Sequence, residues 1–178
     1  MNFKDRLPSR AAILQVYAII ALMIYGWTIG AFFWKFPSWL FFLTVGDILV
    51  LFAYAMVSAL FESLILLGIL LLVCLLLPAA WMRDSFATRG TSAAVFGIGF
   101  LMAITVRFTA DIYSWISDLP LWLLAGLAAT VLFTFASARV RAAVRAAAWI
   151  SDRAVVLLFL FTPVSLVSLV VVLYRNLF

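Results

Sequence analysis

Charged residues cut the chain into long apolar runs. Residues 1–10 are polar and carry Lys4, Asp5, Arg6 and Arg10, with Pro8 and Ser9 suited to a helix start. Residues 11–34 then hold no charge. That length predicts a first spanning helix, because about 20 mostly apolar residues cross the hydrocarbon core. A charged leader before an apolar stretch also resembles a signal peptide. The run is too long for the apolar core of such a peptide and shows no small-x-small cleavage site near its end, so it reads as a retained helix.

Lys35 and Pro37 interrupt the pattern, and residues 38–82 then carry only Asp47 and Glu62. The stretch is too long for one average span and predicts two helices, 38–58 and 61–82. The turn between them falls near Ser58–Glu62, where no Gly or Pro marks it. Arg83 to Ser92 is a polar loop. A fourth helix covers 93–112, interrupted by Arg107 and Asp111, and Ile112–Pro120 forms a connector. A fifth covers 121–138, a basic, Ala-rich segment follows at 139–153, and a sixth covers 154–174.

The expected fold is therefore all-α: a polytopic integral membrane protein, one domain over 1–178, built as a bundle of six transmembrane helices. The alternative is five crossings with a re-entrant or interfacial segment inside 38–82. Asp47, in the middle of its predicted helix, favours that alternative. Against it, non-helical backbone at membrane depth must be buried in protein or face water.

Tryptophans support the map. Trp34, Trp39, Trp81, Trp115, Trp122 and Trp149 fall at predicted ends or in the basic segment, and only Trp27 falls inside a span. Indole rings favour the headgroup level.

Composition sharpens the picture. Of 178 residues, 69% are hydrophobic and 11% charged. Soluble domains are about 45–50% apolar and about 25% charged, so the solvent here is a bilayer. The chain has no histidine, which removes His-ligated haem and zinc, His-based triads and His proton relays. Its one cysteine, Cys74, removes disulfide frameworks and paired-thiol redox chemistry. No cofactor is expected.

The net charge of +5 comes from ten Arg and two Lys against seven acids. Basic residues collect in cytoplasmic loops, and no soluble module remains to hold nucleic acid, so nucleic acid is not an expected partner. With six spans, seven basic residues lie in the odd loops and four lie with the termini. With five crossings the split becomes nine to two. Either way 83–92 and 139–153 share one side, read as cytoplasmic. The Arg-over-Lys and Ala-rich bias suits a bacterial cytoplasmic membrane.

Few residues carry candidate chemistry. Asp47 lies nine residues into a predicted span, where a carboxylate costs roughly 2.5–3.5 kcal/mol unless paired, protonated or wetted. It is read as a ligand, ion or proton site, against an interhelical hydrogen bond or a boundary that puts it at the surface. Arg107 and Asp111, four apart, share a helix face and form a snorkelling pair. The sharper reading brings Arg107 to Asp47 across antiparallel helices, at depths differing by roughly 8 Å. These three residues form a candidate intramembrane polar site. Glu62 is read as a solvated turn residue.

Gly26 and Gly30 form a GxxxG, a candidate helix-docking face. Gly97, Gly99 and Ala103, and Ala125, Gly126 and Ala129, offer similar small surfaces, which ordinary bundle packing also explains. Arg139, Arg141 and Arg145 form a candidate lipid or partner surface on an amphipathic segment that extends the fifth helix or lies on the membrane. Pro163 is expected to kink the last helix, with Thr162, Ser165 or Ser168 satisfying freed backbone groups.

The functional expectation is a non-catalytic multi-pass subunit or partner within a larger membrane complex. Its partners would be the bilayer and other membrane proteins or a second copy. The alternative is a small-molecule transporter or substrate-binding membrane subunit. Enzyme activity is not expected: acid–base chemistry would have to use Asp47, Asp111 or Glu62, in no recognised arrangement.

Overall fold

Helix ends are set by local chemistry that can be followed residue by residue in the computed structural model, which describes residues 7–78, 81–82, 85–110 and 118–177. Ser9 opens α1 (Arg10–Trp39): its Oγ accepts from the Ala12 N–H at 3.3 Å, the usual N-cap bond. The helix runs past the predicted end at residue 34, through Lys35 and Pro37. Proline there removes a donor only in the final turn, where the ladder is ending anyway.

Residues 40–44 turn the chain. Thr44 then starts α2 (Val45–Leu76) with a reciprocal capping box: its Oγ1 accepts from the Asp47 N–H at 3.2 Å, and Asp47 Oδ2 accepts from the Thr44 N–H at 3.2 Å. Two expectations are corrected here. The predicted helices 38–58 and 61–82 are one continuous helix of 32 residues. No breaker lies between Asp47 and Gly68, and at the expected turn Ser58 Oγ donates to Glu62 Oε1 at 2.8 Å, a bond along a helix surface. The six-helix bundle and the re-entrant segment are thus both absent among the described residues.

α3 (Phe86–Ala110) begins seven residues before its predicted start, taking in seven of the ten residues of the polar loop. α4 (Leu119–Ser137) carries Pro120 in its first turn, where a missing donor costs nothing. At about 28 Å it matches the hydrocarbon thickness. A tight turn closed by Arg139 N–H to the Ala136 carbonyl (3.0 Å) and Val140 N–H to the Ser137 carbonyl (3.1 Å) leads to α5 (Arg141–Leu177). The basic segment is therefore the start of the last helix, neither an extension of the fifth predicted helix nor a separate surface helix. At 37 residues α5 is about 55 Å long, so its basic first turns project beyond the apolar core.

All five helices are long and apolar enough to cross a membrane. The protein is an all-helical membrane protein. α1 is its axis, packing against α2, α3 and α5, while α4 packs chiefly on α3. Val16, Ile19, Ile20 and Tyr25 of α1 meet Met56 and Ala59 of α2, Ala94 and Ile98 of α3, and Ala154 and Leu158 of α5.

Small residues permit the close approaches. A Cβ at Gly90 would come within 2.8 Å of Val16, and one at Gly126 would strike the Phe100 ring. The small surfaces predicted around Gly97 and Gly126 are thus spent on packing α3 against α4.

The start of α1, the α2–α3 connection and the α4–α5 turn meet at one end. Leu7, Ser9, Ser85, Thr88, Ala138 and Val144 surround a cavity of about 530 Å³ there. Residues 85–92 and the start of the 139–153 segment accordingly share an end, as expected for those described residues. Trp81 and Trp149 lie toward this end, and Trp34, Trp39 and Trp122 toward the other.

Candidate functional site

Polar groups at membrane depth are the places where this sequence departs from plain apolar packing. One set is inside the bundle. Tyr25, midway along α1, is fully buried, and its ring stacks on Phe161 of α5 at a centroid distance of 4.5 Å. Its hydroxyl lies 2.6 Å from Ser165 Oγ, also fully buried, and Ser165 Oγ lies 3.5 Å from the Met56 carbonyl. Each hydroxyl has one proton. If Ser165 donates to Met56, Tyr25 donates to Ser165, and the chain of donors ties α1, α5 and α2 together at mid-depth. Ser165 was expected to satisfy backbone freed by Pro163; it serves the Tyr25 hydroxyl instead. The signal for Tyr25 was its place near the middle of an uncharged run that holds one other tyrosine, Tyr17.

An acid also lies within a helix, Glu62 of α2. It stands 17 residues into α2 with 14 residues after it, and it is exposed on the outer face. That is about 26 Å from one helix end and about 21 Å from the other, near the middle of a helix longer than the hydrocarbon core, which is about 30 Å thick. Ser58, one turn earlier, gives it a hydrogen bond. Reading Glu62 as a solvated turn residue is therefore corrected. The signal was the lack of any Gly or Pro near it.

Of the candidate polar site, Asp47 and Arg107 are not brought together. Asp47 belongs to the first turn of α2, where both Thr44 groups hold its carboxylate; the Thr44 hydroxyl donates to Oδ2 at 2.7 Å. It is a capping residue at the helix end, not a carboxylate nine residues into a span, because α2 begins at Val45 and not at 38. Arg107 stands exposed in the last turn of α3, a helix that packs against α1, α4 and α5 rather than α2. Asp111 lies outside the described residues. Asp47 and Arg107 do share the end of the bundle opposite the basic segment, with Arg175 acting electrostatically on Asp47.

Gly26 and Gly30 are exposed, and a Cβ on either would meet nothing within 4 Å. This face of α1 is bare, in contrast to the glycines of α3 and α4. Trp27 beside it is 41% exposed and Trp34 87% exposed.

Arg139, Arg141 and Arg145 are all exposed around the start of α5. Further along that segment Arg153 lies over the Trp149 ring at 3.7 Å, and Gln15 of α1 donates to Asp152 at 3.2 Å. The second contact fixes the basic segment against the start of α1.

Among the described residues no three His, Cys, Asp or Glu side chains come together. No family model, curated protein or solved structure matches the chain.

Proposed function

We propose that this protein is a non-catalytic subunit of a larger assembly in a bacterial cytoplasmic membrane, docking to another membrane protein or a second copy through the outer face of α2. Glu62 carries the reading. A carboxyl group there has one donor, Ser58, for oxygens that together offer about four acceptor sites. The cost of an acid at the bilayer centre, roughly 2.5–3.5 kcal/mol on insertion scales, is offset when a neighbouring helix supplies donors or a positive charge. The bare Gly26–Gly30 face offers a second surface for close helix approach.

Five spans put the two termini on opposite sides. Counting along the chain, the end holding the start of α1 has nine basic residues, and the other has Lys35, Arg107 and Arg175. The positive-inside rule makes the first end cytoplasmic. Arg139, Arg141 and Arg145 then face anionic lipid, at about 1 kcal/mol each near the surface.

The test is purification of tagged protein from its native membrane in mild detergent, with mass spectrometry of co-purifying proteins and small molecules. A stoichiometric partner or second copy is expected, retained in Glu62→Gln and lost in Glu62→Leu. A bound metabolite with no protein partner would contradict this reading and favour the transporter alternative.

A further inference from the structure

We propose that the lateral cleft between α2 and α4 binds one acyl chain of an anionic membrane phospholipid. α4 packs on α3, whereas α2 packs closely on neither α3 nor α4. Between α2 and α4 lies a cavity of about 360 Å³. Its floor is made of small residues of α3, among them Ala93 and Gly97. Its walls are Leu66 and Ile69 of α2 and Leu123 and Leu127 of α4, of which Ile69, Leu123 and Leu127 are also exposed, so the cleft opens sideways.

Two observations select the occupant. The first is chemistry. Thr130 is the one polar residue of the lining, and its methyl carbon faces Gly97, so nothing here recognises a polar ligand or anchors water. From Ala93 to Leu101 the cleft lies about 10–22 Å along α3 from its start, which is hydrocarbon depth.

The second is charge at the rim. One turn above Ala93, on the same face of α3, Arg89 donates to the Trp81 carbonyl and lies 5.4 Å from the Phe135 ring centroid of α4. Trp81 meets Phe135 edge-on at 6.0 Å. A positioned cation and an indole thus stand at headgroup level above the cleft. Arg10, Arg139 and Arg141 surround the same end, whose one described acid, Asp152, accepts from Gln15. That field complements an anionic headgroup.

The test uses vesicles containing phosphatidylglycerol with a photoreactive diazirine midway along one acyl chain. The intact protein is reconstituted, irradiated and mapped by mass spectrometry. Adducts at Ala93, Leu66 and Leu127 are expected several-fold above those at Phe159 and Val167, which face outward on α5. Filling the floor with Ala93→Leu and Gly97→Leu should lower the cleft adducts several-fold and leave those on α5 unchanged.

A second readout needs no variant. As the probe fraction rises, cleft labelling should saturate while α5 labelling rises in proportion. A phosphatidylcholine probe of the same chain should need a higher fraction to saturate the cleft. Equal labelling of all outward faces, proportional rise at both sites, or equal saturation by both headgroups would overturn the proposal. So would a cleft that stays unlabelled at every probe fraction, the result expected if a partner or second copy covers it.

Discussion

Tyr25 and Glu62 are both polar side chains at membrane depth, and the fold treats them in opposite ways. Tyr25 is enclosed by three helices and finds Ser165. Buried polar pairs in membrane proteins average about 0.6 kcal/mol and reach about 1.7. Tyr25→Phe should therefore destabilise the protein by about 1 kcal/mol, and Ser165→Ala by a similar amount. Together they should cost less than the sum, because either change removes the same bond. Denaturation in detergent or mixed micelles of the two single variants and the double variant measures this; strict additivity would show that the pair does not interact. Among the described residues Glu62 has only Ser58 of its own helix as a donor, and the docking proposal assigns its remaining acceptors to a partner helix. Neither role was legible residue by residue. Hydropathy marks a charged residue as a boundary, and that habit put Glu62 in a turn. It also made Asp47 an intramembrane acid, although the Thr-x-x-Asp spacing before an apolar run already spelled a cap.

At the scale of elements, part of the fold could be read from the sequence. Ser9 at a helix start and Pro120 just before the span expected at 121–138 lie where apolar runs meet capping or breaking residues. The break expected at Lys35 and Pro37 falls inside α1, and most of the loop expected at 83–92 falls inside α3. The number of spans in 38–82 could not be read from length alone. Fully helical, those residues would extend about 68 Å, enough for two short crossings. Trimmed by a turn before Thr44 and another after Leu77, they become one long helix. A cysteine scan across 56–64, in a Cys74→Ser background, separates the two cases. Continuous α2 predicts no reaction with membrane-impermeant maleimide from either side. A turn near Ser58–Glu62 would give a cluster of reactive positions. The basic segment was misassigned for a similar reason: its amphipathic pattern is local, but the helix it belongs to is decided by the tight turn at Ala138–Val140.

At the scale of the molecule, an odd number of spans fixes the relation between the two ends. Single cysteines at Ser9 and Asn176 should react with impermeant reagent from opposite sides, Ser9 from the cytoplasmic side; labelling of both from the same side would contradict five crossings. The bundle is also unevenly covered. α1 is wrapped by three helices, whereas the outer faces of α2 and α4 are exposed along their length. Lipid suits the leucines and valines on those faces but not a carboxylate. The most direct measurement is photo-crosslinking in native membranes from a benzophenone amino acid at Phe61 or Ile65, which flank Glu62 and are 52% and 60% exposed. A protein adduct of one defined mass is expected from both positions, lost when Glu62 is replaced by Leu. Adducts with lipid alone, unchanged by that replacement, would contradict a docking role for this face.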